Sequence, residues 1–169
     1  VNKQENDFKW RVLLGEAYIK QASVTVDLEK KRDLNVSAIQ QLRKALQLNT
    51  KFKPAYDLLL TTLIQQKAHN EARELLMEGI AKFGRRPDLF RELCRIDSTD
   101  GFLEQAVSNC REAIKVAPSF PDNYVYLVQS LNDQKEDAAA EGAIVNAGKK
   151  FTDSEFVQWA AGTLYLRKK

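Results

Sequence analysis

Long apolar runs are missing from this 169-residue chain. No window approaches the roughly 18 consecutive apolar residues of a membrane span, and no signal-peptide pattern is present. Glycine and proline are few, 7 and 4, which excludes collagen-like and low-complexity chains. Histidine occurs once, as His69, and cysteine twice, as Cys94 and Cys110. A structural zinc site takes about four such ligands, so the count excludes one. A single histidine leaves no Ser-His-Asp or Cys-His scheme except through His69, which falls in a predicted turn. Neither GxGxxG nor a P-loop is present. The acidic residues sit at exposed helical positions that suit surface ion pairs. These absences predict no enzyme, no metal and no cofactor.

Charge of one sign is also scarce: 26 basic against 23 acidic residues give +3 and a pI near 8.8. That excess is spread out, whereas a nucleic-acid binder usually concentrates it on one face. The basic runs Lys30-Lys31-Arg32 and Arg167-Lys168-Lys169 read as solvated helix surface. No nucleic acid and no membrane insertion are expected. The two cysteines leave two readings open. Buried free thiols act as small hydrophobes; a disulfide is the alternative, and spacing alone does not establish it.

What the chain does have is an alanine every 34 residues, at Ala38, Ala72, Ala106 and Ala140. Seven residues after each stands another small residue: Ala45, Gly79, Ala113 and Ala147. Seven residues make roughly two helical turns, so each pair shares one face and admits a close neighbour. A period of this size marks stacked supersecondary units.

Between successive alanines lie two amphipathic helices. Tyr56, Leu59, Leu60, Leu63 and Ile64 recur at helical spacing, Lys67-Ala68-His69-Asn70 breaks the pattern, and Ala72 to Phe83 resume it. Asn70 is the expected N-cap and Gly84 the expected helix stop. Pro54, Pro87 and Pro121 each stand in the first turn of a helix, where a missing N–H is harmless.

Trp10-Arg11-Val12-Leu13-Leu14-Gly15-Glu16-Ala17-Tyr18 resembles the first-helix signature of the tetratricopeptide repeat (TPR) family. Ala38, Leu42 and Ala45 resemble its second-helix pattern, and Pro118 its closing proline. The resemblance implies an all-α fold, a right-handed superhelix (α-solenoid) of antiparallel helix pairs that binds proteins or peptides and catalyses nothing. The expected organisation is one domain over 1–169, with four hairpins at about 8–52, 53–86, 87–120 and 121–154, and a terminal capping helix at 155–169. Twenty residues separate Tyr18 from Ala38 where the family pattern leaves nine, so the first hairpin carries about eleven extra, near 19–34. The expected form is a lengthened first helix and a longer turn ending near Asn35. Asp97 is the other departure. It falls where other hairpins place Tyr18, Leu63 and Leu131, and is expected to end its helix early or to look into a groove.

In such a solenoid the first helices line a concave groove. Three- and four-residue steps select Lys9, Val12 and Glu16; Asp57, Thr61 and Gln65; Arg91, Glu92 and Arg95; Val125, Tyr126 and Gln129; and Phe156, Trp159 and Thr163. Arg91, Arg95 and Tyr126 combine the residue types enriched at binding hot spots. The competing reading pairs both arginines with Glu92, Asp88 or Asp122. On the terminal helix, Val157, Ala160, Ala161, Leu164 and Tyr165 are expected to face the preceding hairpin. Phe156, Trp159 and Leu166 are expected to form a self-association patch. The expected partner is a protein or peptide, with a homodimer or higher homo-oligomer as the structural alternative and helical-repeat RNA binding as a third reading. The expected compartment is the cytoplasm. Because the chain opens at Val1 and not Met, a periplasmic or tethered protein with a further N-terminal segment stays open.

Overall fold

Asp27 decides where the first hairpin turns. Its carboxylate accepts hydrogen bonds from the backbone N–H groups of Glu29 and Lys30, at 3.0 and 3.1 Å, and so caps a helix that begins at Leu28. The structure, a computed structural model, describes residues 3–166; Val1 and the basic run Arg167-Lys168-Lys169 lie outside the described residues. Helices account for most of it: α1 (Lys3–Val24), α2 (Leu28–Leu48), α3 (Lys53–Gln65), α4 (His69–Phe83), α5 (Pro87–Asp100), α6 (Leu103–Val116), α7 (Pro121–Asp133), α8 (Asp137–Lys150) and α9 (Glu155–Leu166). They divide into two compact units, Val1–Phe83 with α1 to α4 and Gly84–Lys169 with α5 to α9.

The extra residues of the first hairpin lengthen helices and leave the turn short. α1 runs six residues past Tyr18 where α3 runs two past Leu63, and α2 begins ten before Ala38 where α4 begins three before Ala72. Four extra residues therefore extend the first helix and seven the second. The expected long turn is only Thr25-Val26-Asp27, and Asn35 is a buried residue inside α2. The good helix formers of Leu28–Arg32, with Asp27 to cap them, outweigh the loop reading.

The small-residue register is the core of both units. Ala38, Ala45, Ala72 and Gly79 are buried in the first, and Ala106, Ala113, Ala140 and Ala147 in the second. Gly79 shows why size matters. A Cβ there would overlap the buried Tyr56 hydroxyl, which donates to the Leu75 carbonyl at 2.7 Å. The Tyr56 ring meets Phe83 edge-on at 5.0 Å.

Three hairpin turns reach the same register position in the left-handed region, at Lys67 (φ 55°), Gly101 (φ 80°) and Lys135 (φ 64°). Only Gly101 carries the residue type that adopts this backbone without strain. Asn70 is not the N-cap expected: α4 starts one residue earlier, and the Asn70 side chain accepts from Arg73 at 3.0 Å.

In the second unit α5 does not stop at Asp97. The helix continues to Asp100, and Asp97 is buried, with its Oδ2 accepting from Asn109 Nδ2 on α6 at 2.8 Å. A carboxylate satisfied inside a hairpin has no reason to break its helix or to face a groove. One turn earlier Cys94 is bonded to Cys110 across the same hairpin, with Cα atoms 5.0 Å apart. Of the two readings the sequence left open, the structure holds the disulfide.

Candidate functional site

Pro87 starts α5 and Pro121 starts α7, and the two helices lie against each other. This pairing brings Arg91, Glu92 and Arg95 of α5 to Tyr126 of α7, all of them half-buried. Arg95 Nε donates to Glu92 Oε2 at 3.0 Å, with a second contact at 2.9 Å. Arg91 reaches the other Glu92 oxygen only at 4.0 Å, too long for a hydrogen bond. Burial pushes the Tyr126 hydroxyl above its ordinary pKa; Arg95 and Arg91 oppose that shift, and Asp122 and Glu92 add to it. The four charges and the phenol therefore share one field. With two arginines against two acids the cluster is close to neutral, so it offers directional N–H donors without a strong net potential. Gln129 stands half-buried further along α7.

α9 packs beside α7. Phe156 and Trp159 stack with centroids 6.0 Å apart and planes 8° from parallel, both exposed. Leu166 is exposed as well, so all three self-association candidates lie at the surface. Val157, Ala160 and Leu164 are buried as expected, and Ala161 is partly buried. Tyr165 is not: it is an exposed side chain at the edge of the packed face.

The other groove candidates belong to the first unit. Asp57, Thr61 and Gln65 follow one edge of α3. Asp57 pairs with Lys53 at 2.5 Å, Thr61 Oγ1 donates to the Asp57 carbonyl at 2.9 Å, and Gln65 is exposed. Lys9 and Thr163 are exposed and Glu16 is partly so. Val12 and Val125 are core residues and not groove residues. Successive first helices touch each other, α1 with α3 and α7 with both α5 and α9.

No family model matches the chain. A solved structure of MamA protein superposes with a TM-score of 0.70 at 20% identity, covering 88% of this chain and 75% of that one. YrrB, described as a TPR protein with an unusual peptide-binding site, superposes at 0.66 and 15% identity, covering 99% of this chain and 84% of its own. The chain has the tetratricopeptide-repeat fold. A curated relative from Chlamydomonas reinhardtii, the chloroplastic PsbB mRNA maturation factor Mbb1, is 34% identical over 96 residues, 56% of this chain. This TPR-fold chain spans 13% of that protein's length. Among the described residues no TPR helix is long and apolar enough to cross a membrane.

One feature of the second unit escapes the periodicity: the buried Asp97–Asn109 bond depends on a side-chain partner that a repeat pattern does not name. The disulfide did have a signal. Cys94 and Cys110 hold the register places that Gly15 and Leu42 hold in the first hairpin, and a Cβ on Gly15 would lie 3.0 Å from Leu42 Cγ. Those two register places face each other.

Proposed function

We propose that this chain is a non-enzymatic adaptor that captures a peptide segment of a protein partner on the first-helix face of its second unit. The observation that carries this reading is the pair of half-buried arginines sharing one glutamate beside Tyr126. Partly exposed ion pairs of this kind contribute only about 0.2–1 kcal/mol, so a partner carboxylate can exchange with Glu92 at little cost. Arg91 and Arg95 would then hold the carboxylate, Gln129 the peptide backbone, and the stacked Phe156–Trp159 pair an apolar side chain. The Asp57–Thr61–Gln65 edge is the contact surface we assign to the first unit. The peptide-binding description of YrrB supports the general mode.

The test is selection from a displayed random-peptide library on the wild type and on an Arg91→Glu, Arg95→Glu double variant. The wild type should enrich peptides that join an acidic residue to an aromatic or aliphatic one. The variant should lose that pool while its circular dichroism shows that it remains folded. An unchanged pool would overturn the assignment.

A second reading rests on the likeness to an mRNA maturation factor. Transcript binding by this chain itself would weaken steeply as salt rises, because it releases counterions. Capture through a near-neutral cluster and an aromatic ledge would change far less.

A further inference from the structure

The disulfide and the arginine cluster share the same few residues of α5. Cys94 comes three residues after Arg91 and directly before Arg95. The arginines share the field of Tyr126 on α7, and Cys94 is bonded to Cys110 on α6. The backbone that the bond pins is therefore the backbone from which both arginines grow. Within the unit Gly84–Lys169, α5 is an edge helix. It packs on α6 and α7, whereas α7 is held by α5, α6, α8 and α9. A helix with few neighbours is the first to yield when one of its ties is cut.

Both cysteines are fully buried. Bonded sulfurs lie about 2 Å apart, whereas two sulfurs in simple contact keep about 4 Å. Reduction asks for that difference inside a close-packed seam, where side chains have little room to give. The Asp97–Asn109 bond one turn on and the buried Leu89, Leu93 and Ile96 still hold the hairpin together. The edge helix then shifts without unfolding. A binding constellation holds its geometry only within about 0.5 Å, so a shift of this size reaches the arginines.

We propose that the Cys94–Cys110 bond is a redox gate on the arginine site: oxidised, it holds Arg91 and Arg95 in place beside Tyr126, and a dithiol reductant releases them. The inference rests on the reading of that site as a peptide-capture surface. The step is thiol–disulfide exchange. One thiolate of the dithiol attacks a cysteine sulfur, the Cys94–Cys110 bond breaks and a mixed disulfide forms. The second thiolate displaces that bond. Two electrons and two protons pass to the protein, which gains two thiols, and the dithiol leaves as a disulfide. Neither sulfur is exposed, so the attack waits for the hairpin to open. The gate answers to the sustained redox state of its surroundings and not to a brief pulse. By linkage, a peptide that prefers the oxidised chain protects the bond from reduction by the same factor.

The probe is a fluorescein-labelled peptide with an acidic and an aromatic residue, taken from the pool that the oxidised protein enriches. It is titrated against the oxidised protein, the protein reduced with dithiothreitol, and a Cys94→Ala, Cys110→Ala double variant. Reduction should weaken binding several-fold while the helical circular dichroism is retained, and should speed amide hydrogen exchange in α5 more than in α9. The double variant should bind with one affinity whether or not dithiothreitol is present. Equal affinity of the oxidised and reduced wild type would overturn the gate and leave the capture reading standing. Exchange in α5 that ignores reduction would overturn the gate too. So would loss of the circular dichroism, because the bond would then hold up the fold and not set the site. An oxidised protein that captures no peptide would overturn the capture reading, and the gate with it.

Discussion

The first and third hairpins solve one steric problem in two ways. In the first, Gly15 yields space to Leu42, and two helices of 22 and 21 residues hold together along a long seam. In the third, helices of 14 residues each face one another at the same register with Cys94 and Cys110, joined covalently. Length and complementarity of size close one hairpin; a bond closes the other. The same two facing register places are thus filled by size in one hairpin and by a bond in the other.

That difference breaks most visibly at the bond. A disulfide closing a loop of this size, with 16 residues of sequence separation, should contribute about 3 kcal/mol. Cys110→Ala should lower stability by about that much in denaturant melts, and the wild type under strong reductant should fall to match it. Melts indifferent to reductant would mean that the staple carries no weight. In the first hairpin the corresponding attack is Gly15→Leu. The new side chain meets Leu42 and should cost about 1–3 kcal/mol through overpacking. A neutral result would remove Gly15 from the seam.

The smallest effect lies in the turns. Gly101 takes φ 80° without strain, whereas Lys67 and Lys135 hold the same register at φ 55° and 64°. Lys67→Gly and Lys135→Gly should each stabilise by about 0.5–1 kcal/mol, and Gly101→Ala should destabilise by about 1 kcal/mol. Equal melts for all three would show that the turns relax freely.

The alanine register made the helices legible because burial there depends on side-chain size alone, which a sequence displays directly. Ala38, Ala72, Ala106 and Ala140 are all fully buried, and Pro54, Pro87 and Pro121 all stand in the first turn of a helix. The misreadings occur where a second element decides. Helical spacing alone places Val12 and Val125 on the groove face, but both are buried in the core. Asp97 looked like a helix stop until Asn109 supplied its partner. For the eleven extra residues the lengthened first helix is as expected, and only the longer turn to Asn35 is not, because the β-branched Val24-Thr25-Val26 dominates a local view. The capping geometry of Asp27 confines that run to the end of α1 and a three-residue turn. In the candidate site the arginines and Tyr126 are legible as types on a face, and the competing reading that pairs both arginines with Glu92 is the one the structure shows.

Pulled from its two ends, the chain would not release all of its length. The 15 residues between Cys94 and Cys110 lie inside a closed loop whose Cα endpoints are 5.0 Å apart. At about 3.4 Å per residue, unbolting that loop would free about 50 Å of additional contour. Oxidised and reduced molecules would therefore differ in maximum extension by that length, whatever the strength of the helix packing around the bond.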